Sequence, residues 1–275
     1  MSVTRGASLT IFVVQPAADS QFTADLAATV GWAPAATDLV LLPYLGGIPY
    51  LPATLDRAGY HFAERHPSAT LAQLAIAART RGVAVAASTY DVAGEGVFYS
   101  TLTLIAADGS PQQNYRQTHG INRPGQHEQL YFQPGETGPV IARLAGTIIG
   151  WLLGGDLWVP EAARLLAIAG AEVIVCLAAE SEADRGLVPA LARVRAVENG
   201  RPVLVASRSE MGLTGHSVLF HPDGHLIAQS NPERGSASFS LDLEEIAAFR
   251  RRHDPLRWRH PRLYTPLARF DEETR

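Results

Sequence analysis

Short apolar stretches alternate with amphipathic ones along almost the whole chain. The stretches "LTIFVVQP" (9–16) and "EVIVCLAAE" (172–180) are rich in β-branched residues and apolar on both faces, which predicts buried strands. "PSATLAQLAIAARTRG" (67–82) and "PEAARLLAIAGA" (160–171) carry apolar residues at helical spacing, which predicts helices. Alternation of helices with strands that are apolar on both faces is typical of an α/β protein whose sheets are covered by helices.

Further strands are predicted over 37–45 and 237–243, and further helices over 187–200 and 244–254. Asp19 or Ser20 is a candidate N-cap for a helix near the start of the chain, and Gly82 is a candidate helix stop. The absence of a composition break predicts one domain over residues 1–254. The last stretch, 255–275, is rich in Arg, Pro and aromatic residues, which predicts an extended arm.

The composition is that of an ordinary globular protein. The chain has 275 residues, of which 47% are hydrophobic, and a net charge of −4. The negative charge argues against nucleic acid and anionic membranes as partners, and no apolar stretch approaches the length of a membrane span. The single cysteine excludes an intramolecular disulfide and fits a reducing compartment, so we expect a cytoplasmic protein.

Lysine is missing from the chain, since all 23 basic residues counted as lysine or arginine are arginines. Mechanisms that need a side-chain amine, such as Schiff bases or a lysine base, are therefore excluded, because arginine stays protonated. The dinucleotide fingerprint and the Walker A pattern are both missing, and we expect no cofactor. The nine histidines show no HExxH pattern and no clustered spacing, which predicts no metal site.

The stretch "IIGWLLGGDLWVPE" (148–161) has the pattern of a strand, a tight turn and a helix. Turns of this kind often hold a catalytic nucleophile at the tip. Here the tip consists of Gly154 and Gly155, which have no side chains. The glycines can serve the turn itself, which is the more favoured interpretation, or a close approach of the backbone to a ligand.

Several stretches in order resemble the carbon–nitrogen hydrolases of the nitrilase superfamily. They are "LVLLPYLGGIPY", "YSTLTLIAADGSPQQNYRQTH", "HEQLYFQPGE", "IGWLLGGDLWVPEAARLLAIAGAEVIV", "RVRAVENGRPVLVAS", "GHSVLFHPDGHLIAQS" and "LDLEEIAAFRRRHDPL". The resemblance implies a four-layer α-β-β-α sandwich that pairs through helices into a homodimer or larger oligomer, and it implies that the arm 255–275 packs on a subunit partner. It also implies hydrolysis of non-peptide C–N groups by a Glu, Lys, Cys trio that supplies a base, a cation for the oxyanion and a nucleophile.

All three reactive positions of that trio are changed. The glutamate falls on Tyr44, a poor base at neutral pH; the lysine falls on Gln117, which brings no charge; and the cysteine falls on Gly154. Other residues match the family. Glu128 matches an additional acid of the family site. Asp156, Pro160 and Glu161 match the segment after the turn, and His119 follows the lost lysine.

Tyr44 either fills vacated volume or contacts a ligand, and Glu128 is either a structural acid or a pocket residue. The ligand-binding candidates are Tyr44, Gln117, Glu128, Gly154 and Gly155, and the ligand expected is a small amide-like or carboxylic compound.

Three hypotheses about function follow. The first is a catalytically degenerate homologue that acts in binding, regulation or assembly, possibly beside an active relative. The second is an amide, nitrile or carbamoyl hydrolase in which Glu128 activates water, with Gln117 and backbone N–H groups near Gly154 holding the oxyanion. The third, a hydrolase with Cys176 as nucleophile, is disfavoured because Cys176 lies in an apolar strand, which is typical of an inert core thiol.

Overall fold

The computed structural model describes residues 8–15, 25–66, 68–210 and 212–268 and contains two six-stranded sheets. The first sheet is made of β1 (Ser8–Val14), β2 (Leu39–Leu41), β3 (Ala84–Gly94), β4 (Val97–Ile105), β5 (Pro111–Arg116) and β14 (Ser236–Asp242). The second is made of β8 (Ile141–Leu144), β9 (Thr147–Leu153), β10 (Val173–Ala178), β11 (Val203–Ser207), β12 (Val218–Phe220) and β13 (Leu226–Gln229). A small ribbon joins β6 (Asn122–Arg123) to β7 (Gln126–His127).

The spatial order of the first sheet is β14-β1-β2-β3-β4-β5, and that of the second is β13-β12-β11-β10-β9-β8. In each sheet the central strands are parallel and the outer strands antiparallel. The carboxyl ends of parallel strands meet at one edge of a sheet, where ligand sites of open α/β sheets lie.

Helices cover the outer face of each sheet. Helices α1 (Leu26–Val30) and α2 (Ala69–Arg81) cover the first sheet, and α4 (Pro160–Ile168) and α5 (Leu187–Asn199) cover the second. The other two helices, α3 (Glu128–Tyr131) and α6 (Leu243–Arg252), contribute Tyr131 and Ile246 to the core between the sheets. Side chains of β1 alternate between two cores: Ile11 and Val13 pack between the sheets, whereas Phe12 and Val14 pack against α1 and α2. In the same way α4 and α5 cover the second sheet. The expected α-β-β-α sandwich is therefore confirmed.

Helix α2 shows how closely local sequence signals set an element. The Ser68 side chain accepts a hydrogen bond from the Leu71 N–H, and Gly82 ends the helix at φ +64°. Both are ordinary helix-end chemistry, since serine satisfies an unpaired N–H and glycine tolerates the left-handed conformation. Asp19 and Ser20, the candidate caps for the first helix, lie outside the described residues; Asp25 caps α1.

The predicted C-terminal arm, 255–275, is described as far as residue 268 and contains short 3₁₀ helices. After α6 the chain forms three short 3₁₀ helices over Pro255–Trp258, Pro261–Leu263 and Thr265–Ala268. Proline at the start of each of the first two sets φ for such a turn, which explains the compact path. In the part of the chain that the structure describes, no helix is long and apolar enough to cross a membrane.

Candidate functional site

The predicted site residues converge from both sheets. Tyr44 follows β2, Gln117 follows β5, Glu128 opens α3, and Gly154 follows β9. The predicted strand 37–45 is shorter in the structure, because Pro43 has no N–H for the ladder and Leu45 turns at φ +50°. This early end lets Tyr44 leave the sheet and reach the other site residues.

Tyr44, Gln117 and Glu128 form a closed hydrogen-bonded triangle. The Tyr44 hydroxyl lies 2.6 Å from Gln117 Oε1 and 3.0 Å from Glu128 Oε1. The Gln117 amide donates to Glu128 Oε2 at 2.7 Å and to the His119 carbonyl at 3.0 Å. All three side chains are buried, with at most 2% of each residue exposed. Each of the three side chains therefore has hydrogen-bond partners within the triangle, as buried polar groups require.

Burial dominates the titration of Glu128 and raises its pKa to about 7, although hydrogen bonds to the carboxylate work in the opposite direction. Those hydrogen bonds come from the backbone N–H groups of Ile121 and Gly155, each at 3.1 Å, and from Gln117 and Tyr44. Burial also raises the pKa of Tyr44 well above its ordinary value, and the neighbouring Glu128 adds to that effect. Tyr44 is therefore a neutral phenol at pH 7.

The space beside Gly154 is already filled. Gly154 has φ +44°, and a Cβ placed on it would lie 2.3 Å from Glu128 Oε1, 2.7 Å from Tyr44 Oη and 3.0 Å from Gln117 Nε2. Real Cβ atoms essentially never approach other atoms below 3.0 Å. The glycine therefore serves both the turn and the packing of the triangle.

Gly155 is equally confined. A Cβ there would lie 2.3 Å from the His119 carbonyl oxygen and 2.8 Å from the Ile121 nitrogen. The backbone that crowds Gly155 belongs to the segment after β5, so the glycine permits a close approach of backbone to backbone. The structure thus places all five candidate residues together, with their polar groups turned toward one another.

Asp156 fixes the turn that carries these glycines. Its Oδ1 accepts hydrogen bonds from the backbone N–H groups of Thr118 and His119 and lies 2.9 Å from His119 Nδ1. Its Oδ2 accepts from the Tyr115 hydroxyl and from the Leu153 N–H. Asp156 is fully buried, so this carboxylate joins the turn to the end of β5.

Arg208 is a contributor that sequence reasoning missed. It lies just after β11, is 1% exposed, and donates to the backbone carbonyls of Tyr44, Leu45 and Ile48. The arginine thereby holds the loop that carries Tyr44. An arginine directly after the buried strand "PVLVAS" is the signal that could have indicated it, because buried guanidinium groups need several acceptors.

Cys176 lies in the interior of β10 and is fully buried. Burial raises the pKa of its thiol well above the ordinary value. Since the thiolate is the reactive form, this cysteine is poorly suited to act as a nucleophile.

Comparison with known proteins extends the resemblance. The model of the carbon–nitrogen hydrolase family matches residues 13–251. The chain belongs to the carbon–nitrogen hydrolase family. An N-carbamoylputrescine amidase of Solanum lycopersicum is 28% identical over 236 residues, which are 77% of each chain.

Two solved structures share the fold of this chain. A carbon–nitrogen hydrolase from Helicobacter pylori G27 superposes with a TM-score of 0.83 at 24% identity, over 95% of this chain and 99% of the other. A variant amidase from Nesterenkonia sp. AN1 superposes with a TM-score of 0.78 at 25% identity, over 97% of this chain and 99% of the other. That amidase is described as showing covalent addition of the acetamide moiety of fluoroacetamide at its active site cysteine.

Membership of the carbon–nitrogen hydrolase family bears on the hypotheses about function. The activities named for the relatives favour a C–N hydrolase, and therefore the hypothesis centred on Glu128. They do not test whether catalysis has been lost in this chain. The ligand-binding role of Tyr44, Gln117, Glu128, Gly154 and Gly155 stays a prediction.

Proposed function

We propose that this chain is a non-hydrolytic member of the carbon–nitrogen hydrolase family that works through binding, regulation or assembly. The observation that carries the proposal is the filled space beside Gly154, where Glu128 Oε1 and Tyr44 Oη occupy the volume of a side chain. A nucleophile at that position would need a Cβ, and the triangle of Tyr44, Gln117 and Glu128 leaves no room for one.

The composition of the chain supports the same proposal. Without lysine, no side-chain amine can stabilise an oxyanion, and Gln117 contributes only a neutral donor. The single thiol of the chain, Cys176, is buried inside β10. The thiol nucleophile and the lysine cation of the family's trio, two large contributions to hydrolysis of amides, are therefore both missing from their positions.

A second candidate function, hydrolysis with Glu128 as the base, is supported by a specific observation. Burial raises the pKa of Glu128 to about 7, which suits a general base near neutral pH, and the reported relatives include amidases. In this mechanism Glu128 would accept a proton from water while Gln117 held the oxyanion. The buried triangle would have to open to admit water and substrate.

A turnover assay separates the two candidates, and a covalent probe checks that the chain has no reactive nucleophile in either case. We expect the purified chain to show no turnover of N-carbamoylputrescine, aliphatic amides or nitriles, with an active family amidase as positive control. We also expect no mass increase after exposure to fluoroacetamide, the reagent that adds to the Nesterenkonia amidase. Turnover that disappears in Glu128→Gln would overturn the proposal in favour of the second candidate.

Partners and compartment belong to the same proposal. We propose a homodimer or larger oligomer, with an active relative as a further possible subunit, in the cytoplasm. The solitary cysteine suits a reducing compartment. Exposed apolar side chains on α4 and α5 supply a surface for assembly, and their test is given in the Discussion.

A further inference from the structure

The hairpin between β12 and β13, "HPDGH" (221–225), gathers three groups that can bind a metal. The His221 N–H donates to the His225 carbonyl at 3.0 Å, and Gly224 turns the chain at φ +90°. This pairing puts both imidazole rings on one side of the hairpin, where they stack at 4.5 Å between centroids. Asp223, between them in sequence, folds back so that its carboxylate faces both rings.

The distances suit a shared ion. Asp223 Oδ1 lies 3.0 Å from His221 Nδ1 and 2.7 Å from His225 Nδ1, and the three ligand atoms all lie within 4.8 Å of one another. Ligands of a tetrahedral zinc ion at ordinary bond lengths are about 3.3 Å apart. The hairpin therefore needs only a small opening to accept one, and His225 is exposed enough to move.

Contacts with α6 fix the position of the His221 ring. The ring is buried, its Nε2 lies 3.1 Å from Glu245 Oε1 on α6, and the Phe249 ring packs edge-on against it. A hydrogen bond from Nε2–H to a carboxylate leaves the lone pair on Nδ1, and histidines that bind metals commonly have such a carboxylate on the other nitrogen.

That lone pair faces an oxygen that also has lone pairs. His221 Nδ1 accepts a weak hydrogen bond from the Asp223 N–H at 3.2 Å, but Asp223 Oδ1 lies closer, at 3.0 Å. Two acceptors at this distance repel each other unless a proton or a metal cation lies between them, and a metal cation can also engage His225 Nδ1. Two imidazoles and one carboxylate suit a borderline divalent cation such as Zn²⁺ better than the hard cations Mg²⁺ and Ca²⁺.

We propose that His221, Asp223 and His225 form a Zn²⁺ site at the tip of this hairpin, with Glu245 orienting His221. Asp223 and His225 are largely exposed, so the fourth position is open to water. The ion would tie the hairpin to α6 through the His221–Glu245 contact. The expectation of no metal site rests on the missing HExxH pattern and on histidine spacing, and it overlooks the His-x-Asp-x-His spacing within 221–225.

A zinc titration of the full chain without a histidine tag, in competition with a chromophoric chelator, tests the proposal. We expect one Zn²⁺ per chain. Asp223→Asn and His225→Gln should each weaken binding by about tenfold or more, and Glu245→Gln by about tenfold. His260→Gln, which removes an exposed histidine elsewhere, should bind as the unchanged chain does.

Cobalt provides an independent readout, since Co²⁺ in a tetrahedral site has an intense visible absorption. We expect this band in the unchanged chain and in His260→Gln, and its loss in the Asp223→Asn, His225→Gln double variant, whose circular dichroism verifies folding. Failure of the unchanged chain to bind one equivalent of Zn²⁺ would overturn the proposal. Equal affinity in the double variant and the unchanged chain would overturn it as well.

Discussion

At the scale of single residues, Glu128 is a buried acid on which two effects compete: burial favours the neutral acid, whereas the hydrogen-bond donors around it favour the carboxylate. The Tyr44 hydroxyl has one proton, and Gln117 Oε1, at 2.6 Å, is its nearer acceptor. A proton on Glu128 Oε1 could then be donated to the Tyr44 oxygen. The neutral acid and a glutamine side chain therefore fit the same hydrogen bonds.

We predict that Glu128→Gln changes the pH dependence of stability. Burial raises the pKa of Glu128 to about 7 in the folded chain, whereas the unfolded value is 4.5. Between these values the folded chain holds a proton that the unfolded chain releases, so the free energy of unfolding falls as pH rises, by on the order of 3 kcal/mol. Urea unfolding at pH 5 and pH 8 should show the variant gaining stability relative to the unchanged chain at the higher pH. A difference that is constant with pH would contradict this.

Gly154 is expected to reject any side chain. Gly154→Ala should lower the free energy of unfolding by about 3 kcal/mol, because the left-handed conformation and a Cβ contact of 2.3 Å both disfavour it. Gly138→Ala is the matched control, since Gly138 has φ +66° but nothing within 4 Å of its Cβ position. Equal losses in the two variants, measured by urea unfolding, would show that the packing argument is wrong.

At the scale of elements, Asp156 links the turn after β9 to the segment after β5. We predict that Asp156→Asn lowers the free energy of unfolding by about 2–4 kcal/mol. The amide nitrogen of asparagine would replace one carboxylate oxygen and would face N–H or O–H groups that are themselves donors. Asp108→Asn, in an exposed turn where the carboxylate accepts from Ser110, is the control and should change thermal unfolding little. A similar shift in both variants would refute the linking role.

Sequence reasoning predicted elements well where the signal is local. Helix α2 was expected from apolar spacing with Gly82 as its stop, and α4 from Pro160, because caps and periodicity act within a few residues.

The triangle of Tyr44, Gln117 and Glu128 could be predicted from the sequence only in part. Family resemblance brought Tyr44, Gln117 and Glu128 together, but whether they would fill or line a cavity depends on distances across two sheets. Arg208 was missed for the same reason, since its acceptors are over 150 positions away in the chain.

At the scale of the whole molecule, α4 and α5 lie side by side with apolar side chains exposed. Leu165 and Ile168 on α4 and Val194 and Val197 on α5 are each 44–50% exposed. Such patches mark association surfaces when they are contiguous. We propose that a second copy of the chain covers them.

We predict a dimer in solution by light scattering coupled to size-exclusion chromatography. The double variant Ile168→Asp, Val194→Asp should be monomeric, because burial of two carboxylates in an apolar interface is costly. Ile76→Asp on α2, where Ile76 is 56% exposed, is the control and should leave the dimer intact. A monomeric unchanged chain, or a dimer that survives the double variant, would contradict this arrangement.

The filled space beside Gly154 also constrains the evolutionary history of the site. Tyr44 in its present position and a side chain at position 154 exclude each other, since a Cβ there would lie 2.7 Å from Tyr44 Oη. The same space is also claimed by Glu128 Oε1, which would lie 2.3 Å from that Cβ. Return of a nucleophile to position 154 therefore requires the ends of both side chains to move, so a substitution at 154 alone is not expected to restore a reactive site.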